Sequence, residues 1–415
     1  MTKFSKILLL AVATAVLSWF LPWIYALLTP SASGDPFCSF SPVSGKWIVS
    51  RSANGEKPVI CQVDPFSANP DEGDLITVAQ RDSLVPQLYY RQLLSQDLLP
   101  DTIAGKEVSA HTLKTHELFF NGSPRDINKR LPEVWLMMES MPVRVDLSDP
   151  EEAFRFTADG IEFLKIADNT VNADRSRRFT DALKSKGFSF PATDLSGNPS
   201  SKKPYDEGYL MVDSNGKVFH MKQQAGRPFV SRVMLPDSVT ASKVFIWEES
   251  DRSLLGMVVA ADGSPYIIRA EGHQALPLPG DDVKVYPREE SVMAMGSLFN
   301  FVLRLSGKNA TRWRAFDAET LEPVGALDFP KEKPMSSQVA RYIFPFTLAF
   351  TSAYDSLAYP RIANISTRAL PLNIALSLMV LFIGMRRKDS AMKWGALATV
   401  PFGIFSFLPL LLLHD

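Results

Sequence analysis

Apolar residues gather at the two ends of this 415-residue chain, and that segregation limits its fold more than any other feature. Residues 7–28, ILLLAVATAVLSWFLPWIYALL, form the first run; residues 369–385 and 394–413 form two more. Each approaches the roughly 20 residues with which a helix crosses a ~30 Å hydrocarbon layer. Trp19, Trp23 and Tyr25 gather near the far end of the first run, where amphipathic rings favour the headgroup zone. Lys3 and Lys6 precede it, and Arg386, Arg387, Lys388 and Lys393, set against the single acid Asp389, separate the other two. Basic loops stay on the cytoplasmic side. The two charge signals therefore predict one topology: a cytoplasmic tail over 1–6, a span over 7–28, residues 29–368 outside, a return over 369–385, a cytoplasmic loop over 386–393, and a third span carrying His414 and Asp415 out again.

The competing reading of the first run is a cleavable signal peptide, with Ser31, Ala32 and Ser33 as small residues for a peptidase. Its apolar stretch exceeds the roughly 7–15 residues of a signal core, which favours a permanent anchor. Either way the region that follows is exported. In the third run Gly395, Thr399 and Gly403 recur every fourth residue, a small-residue face that lets helices approach closely. That face predicts packing among the spans or against a partner subunit; the alternative is that such residues are simply common in membrane helices. No ionisable residue lies deep in any run, which argues against an ion path through this chain alone.

The exported part reads as α+β giving way to mainly β, a partial or irregular β-propeller-like meander. In 209–222, YLMVDSNGKVFHMK, two strands flank Asn215-Gly216, and in 254–270 two flank Asp262-Gly263, dipeptides suited to tight hairpins. Further strands are expected over 229–235, 244–247, 299–305 and 311–316. KVFIWEES at Lys243 and KVYPREES at Lys284 suggest a repeat in the 40–50-residue range of propeller blades, or two hairpins alike by chance. Earlier in the chain, 37–63 offers another blade, 86–99 a helix, 154–166 a hairpin at Asp159-Gly160, and Asn172 a cap for a helix ending near Gly187. The polar, Pro/Gly-rich stretch 197–208 marks the expected boundary between regions 29–200 and 201–340. Residues 341–368 open with RYIFPFTLAFTSAY, expected as an interfacial helix on the outer leaflet or as core of the domain.

Chemistry is thinly marked. Cys38 and Cys61 fall on flanking strands of one small sheet, so a disulfide is expected, with two buried thiols as the alternative. Two cysteines cannot build a four-ligand zinc site. The histidines, His111, His116, His220, His273 and His414, form no HExxH or ligand cluster, and no GxSxG elbow or phosphate-binding loop occurs. Glu248-Glu249 and Glu289-Glu290 offer acid pairs for glycoside chemistry but read better as solvated faces, as do Arg175, Arg177 and Arg178 on their helix. A net charge of −1 argues against nucleic acid. No catalytic residue, cofactor or metal is expected.

LYYRQLL (88–94), LPDTIAG (99–105), NTVN (169–172) and FSFPA (188–192) resemble an uncharacterised bacterial family of unknown function anchored in the inner membrane. The resemblance implies a Gram-negative envelope protein encoded beside components of an ABC-type exporter, and it carries over no catalytic residue. The expectation is a non-catalytic accessory or scaffold subunit of an envelope membrane complex, with the bilayer and a membrane protein such as an ABC-type permease as partners and the main domain periplasmic. A ligand-binding or sensing module and an envelope hydrolase are the alternatives.

Overall fold

The computed structural model describes residues 3–29, 34–52, 57–129, 133–143, 146–331 and 334–412, with Lys3 as backbone only. Ser31, Ala32, Ser33, His414 and Asp415 lie outside them. The chain divides into two compact units, one of residues 35–51 and 58–330, the other of Met1–Gly34, Ser52–Lys57 and Lys331–Asp415.

The first of these is built mainly from five antiparallel sheets met in chain order, and also holds the two-stranded pair Thr102–Ile103 and Lys106–Glu107. Sheet I comprises Phe37–Phe40, Trp47–Arg51, Val59–Val63 and Asp74–Leu75, and sheet II Trp135–Leu136, Glu152–Phe156 and Ile161–Lys165. Sheet III comprises Asp194–Gly197, Tyr209–Val212, Val218–Gln224 and Arg227–Arg232. Sheet IV comprises Ala241–Ile246, Leu254–Ala260, Pro265–Arg269 and Ala275–Pro277. Sheet V comprises Ser291–Gly296, Asn300–Ser306, Ala310–Asp317 and Pro323–Pro330, and the earlier strand Leu118–Gly122 pairs with its first strand.

Successive side chains of a strand point to opposite faces, and here both faces are buried. In sheet V, Val292, Ala294, Phe301, Leu303 and Leu305 meet Phe245, Met257 and Ile267 of sheet IV. Their neighbours Met293, Met295 and Val302 meet Phe40, Trp47 and Val49 of sheet I, where Trp47 lies edge-on to Trp313 at 6.5 Å. Sheet IV turns Leu255 and Val258 towards Leu210 and Val212 of sheet III, whose other face joins sheet II and the helix Ala173–Ser185 through Phe154, Phe163, Phe179 and Phe219. Two buried faces explain why strands such as LLGMVVA read as continuous apolar runs instead of alternating. Among the described residues no apolar cluster joins sheet I to sheet II. The blade-like sheets thus form an open series, not a closed propeller.

The local signals place these elements well. The Asn215-Gly216 hairpin closes with Val212 opposite Val218, its turn held by Asp213 Oδ1, which accepts from Asn215 N at 2.9 Å and Lys217 N at 2.8 Å. The Asp262-Gly263 and Asp159-Gly160 hairpins form as expected. Asn172 Oδ1 accepts from Arg175 N at 3.1 Å, capping the helix Ala173–Ser185.

Other expectations fail for identifiable reasons. Segment 197–208 is no boundary: it links two neighbouring strands of sheet III, with Gly197 opposite Tyr209. The Lys243 and Lys284 motifs are not equivalent, since the first lies in a strand and the second follows a 3-10 turn, Asp281–Val283. The structural period is longer; the first strands of sheets III, IV and V begin at Asp194, Ala241 and Ser291, 47 and 50 residues apart. Cys38 and Cys61 are free, because Val49 of the central strand lies opposite both. Two strand spacings of about 4.8 Å put them beyond disulfide reach. The Cys38 thiol is pushed up by burial.

The second unit holds the apolar helices. Among the described residues two are long and apolar enough to cross a membrane, Phe4–Leu28 and Thr367–Arg386, with mean hydropathies of 2.2 and 1.8. The third expected span is broken into Ser390–Phe402 and Ile404–Leu412 at Gly403, whose φ of 56° lies in the left-handed region. At 1.5 Å per residue the pieces reach only about 20 Å and 14 Å. They fold against each other, with Leu410 packed on Ala396 and on Val380 of the preceding helix. Asn373 Nδ2 donates to Val400 O at 3.0 Å and Ser377 Oγ to Ala396 O at 2.6 Å. The expected interfacial helix over 341–354 is also corrected. A helix does form over Met335–Ile343, but it stops before Pro345, which disfavours helical φ/ψ at Phe344; Thr347–Ala349 then pairs with Arg361–Ala363.

Candidate functional site

Sheets IV and V, with the residue that ends the helix Ala110–Thr115, line a partly open cavity of about 200 Å³. Leu254, Ile267, Leu298, Phe301 and Leu321 give it apolar walls, and His116, Asp251, Ser253, Arg269, Asn300 and Glu319 its polar groups. Each polar group is placed by local structure. His116 Nδ1 donates to Thr112 O at 2.8 Å, which leaves Nε2 as an acceptor in the neutral ring. Asp251 is 8% exposed; its Oδ1 accepts from Ser253 N at 2.9 Å and Ser253 Oγ at 2.6 Å. Oδ2 has no hydrogen-bond partner among the described residues. Arg269 ends the third strand of sheet IV, where Nη2 donates to Ala318 O at 2.9 Å. No carboxylate lies within ion-pair reach of it among the described residues, since Glu319 is taken by Lys106 at 2.5 Å. Ser253 and His116 share no hydrogen bond, the contact a serine nucleophile needs.

Buried polar clusters lie elsewhere in this unit, and two of them involve groups whose titration burial shifts. Lys203 Nζ donates to Asp206 Oδ1 and Glu248 Oε1, both at 2.6 Å, with all three side chains 5% exposed or less. Burial raises the Glu248 carboxyl above its ordinary range, and its Oε2 is buried with no partner among the described residues. The second cluster is a histidine pair. Because Nε2 of His220 must donate to Glu207 O at 2.6 Å, its Nδ1 accepts from His273 Nε2 at 2.9 Å. Lys222, which bonds Glu207 at 2.5 Å, and Phe229 complete the surroundings.

Burial pulls His220 down to about 3 and lowers His273 as well. Both rings are therefore favoured neutral in the fold. Their contribution is complete above the unfolded value near 6.5 and is lost as pH falls from there towards about 3. The melting temperature of the full chain is expected to drop between pH 7 and pH 5, and His220→Gln to flatten that drop. An unchanged slope in the variant would overturn the assignment.

The sequence-singled residues are scattered. Glu248 and Glu290 are not solvated: Glu290 is 6% exposed and pairs with Arg312 at 3.0 Å. Arg175 is likewise held inward, 2.5 Å from Glu152 and over the Phe163 ring at 4.1 Å, while Arg177 and Arg178 pair with Asp174 at the surface. In the helical unit Gly395 faces Leu410, Thr399 is fully buried, and Gly403 abuts Asn373, so this small-residue face is packed within the chain. Arg386 is the last residue of its helix, Arg387 is the C-cap and Lys388 follows it in the turn, and Lys393 lies in the first turn of the next. Lys6 lies in the first turns of the N-terminal helix, and the Lys3 side chain lies outside the description. The cavity residues carried no sequence signal, being drawn from five separate stretches of chain. Among the described residues no group of three or more His, Cys, Asp or Glu could hold a metal.

One family model, a domain of unknown function, matches residues 37–316. The chain belongs to the DUF4857 family. The DUF4857 match runs from the first strand of sheet I into the third of sheet V and includes His116, Asp251 and Arg269, as well as all four stretches on which the resemblance rested. No curated protein matches the chain. Solved structures with some likeness to this DUF4857 protein include the Dos1 propeller (9% identity, TM-score 0.26, covering 43% of this chain and 44% of that one). The Myceliophteria thermophila Cps50 (Swd1) β-propeller domain is another (11%, 0.26, 54% and 60%). A third is PorZ, a surface component of the type-IX secretion system of Porphyromonas gingivalis (13%, 0.21, 72% and 34%). The chain spans less than two thirds of each, and at these TM-scores the likenesses carry no argument.

Proposed function

We propose that this protein is a non-catalytic accessory subunit of a bacterial envelope complex, such as an ABC-type transporter, anchored in the inner membrane with its sheet-rich unit on the periplasmic side. The observation that carries this reading is the outward apolar surface of its long helices. Only 11% of the most apolar stretch of Phe4–Leu28 and 22% of that of Thr367–Arg386 are buried, whereas a core helix of a water-soluble protein hides most of its surface. Contacts of the first helix favour a retained anchor over a cleaved signal. Tyr25 Oη donates to Ser336 O at 2.9 Å, Trp19 lies edge-on to Phe350 at 6.1 Å, and Leu10 packs on the Val380–Ala396–Leu410 cluster. The basic residues Arg386, Arg387 and Lys388 cluster at one end of the helix Leu370–Arg386, where they favour a cytoplasmic turn.

The break at Gly403 alters the topology read from hydropathy. With Ile404–Leu412 folded back along Ser390–Phe402, the last helix returns towards the side of the 386–393 turn instead of leaving on the far side. A reporter inserted after Gly263 is expected to be reached only from the periplasm. Reporters at Lys388 and at the C-terminal end are both expected to be reached from the cytoplasm. A Gly263 reporter accessible only from inside would end the anchoring model, and a periplasmic C-terminal reporter would end the re-entrant one. The accessory role is tested separately: the tagged protein in mild detergent is expected to bring down a stoichiometric membrane partner.

A further inference from the structure

The cavity between sheets IV and V holds two opposite charges that do not meet. Arg269 has only backbone carbonyls as partners, and its Nε and Nη1 donate to nothing among the described residues. Asp251 keeps one carboxylate oxygen unbonded although the residue is buried. A guanidinium and a carboxylate lining the same small space gain by pairing, yet these lie more than the 4 Å of an ion pair apart. Each is held back by another partner: Asp251 by Ser253 of its own turn, Arg269 by the carbonyl of Ala318 in a turn of sheet V.

We infer that this cavity binds a small zwitterion of amino-acid size, its carboxylate on Arg269 and its ammonium on Asp251. The chemistry of the two ends follows from their donors. A guanidinium offers planar N–H pairs that suit a carboxylate, and a lone carboxylate oxygen suits a donor. Size follows from volume: about 200 Å³ lies below the ~300 Å³ at which drug-sized sites begin. Leu254, Ile267 and Phe301 provide an apolar wall for a short side chain. His116 Nε2 can accept a further hydrogen bond from the ligand.

The test uses the full-length protein in detergent, with glycine, L-alanine, L-serine and L-glutamate as probes in calorimetric titration, and propionate and ethylamine as single-charge comparators. At least one amino acid is expected to bind with a Kd between micromolar and millimolar, and each comparator at least about a hundredfold more weakly, because each forfeits one charge-assisted bond. Arg269→Gln and Asp251→Asn each keep a polar group in place and are expected to weaken binding about tenfold or more. Their melting temperatures without ligand report any fault in folding. No binding by the four amino acids at 10 mM, equal binding by propionate, or unchanged affinity in both folded variants would each overturn the proposal. None of these outcomes bears on membrane anchoring, which the reporters decide.

Discussion

Replacing Lys203 by methionine is expected to cost about 3–5 kcal/mol of stability, the penalty for leaving buried charge uncompensated. Among the described residues Lys203 is the one cation bonded to both Asp206 and Glu248, whose side chains are each 2% exposed. Asp206 Oδ2 already accepts from Ser140 Oγ at 2.5 Å and Gly208 N at 3.1 Å, and Glu248 Oε1 from Glu207 N at 2.7 Å. These bonds hold the two carboxylates in place, so neither can turn to water once the ammonium is gone. Glu248, whose proton burial already helps to retain, is the group expected to neutralise first. The melting temperature should fall by roughly 10 °C. Adding Glu248→Gln to Lys203→Met should restore part of the loss, since only one carboxylate then stays unpaired. A Lys203→Met protein melting within about a degree of the parent would sink this account. The cluster also ties the 197–208 segment to sheet IV, which is why a stretch that reads as a linker behaves as part of the core.

The second large effect is expected at Gly256, in the central run of sheet IV. A Cβ there would overlap the carbonyl oxygen of Phe245 and come within 2.7 Å of Leu210 Cδ1. The carbonyl belongs to the neighbouring strand, where Phe245 pairs with Met257 and Ile246 with Gly256, so it cannot withdraw without opening the ladder. Gly256→Ala is expected to destabilise by about 3 kcal/mol or more, at the upper end for overpacking. Gly34→Ala, where nothing lies within 4 Å, is the matched control and should be close to neutral. Equal melting temperatures for the two variants would show that the strands separate more easily than their register implies.

These two sites also show how far the sequence could be read. The hairpins at Asn215-Gly216 and Asp262-Gly263 and the capped helix after Asn172 were legible because each depends on residues a few positions apart. The Lys203 cluster was not, since Lys203 and Glu248 come from either side of four strands. The cavity was less legible still: His116 and Arg269 are ordinary residues until sheets IV and V stack. Glu248 was misread as solvated because paired acids usually are, and the Cys38–Cys61 disulfide failed on a register that places Val49 between the two.

Composition and local pattern alone determined that the chain ends in apolar helices and that its middle is pleated. Apolar length and turn chemistry act within one segment and need no partner. Tertiary structure decided which sheets stack, which charges are buried together, and that the last apolar run breaks and folds back at Gly403. Those outcomes depend on backbone geometry and on contacts between residues far apart in the chain, where hydropathy counts residues but not the direction in which the backbone carries them.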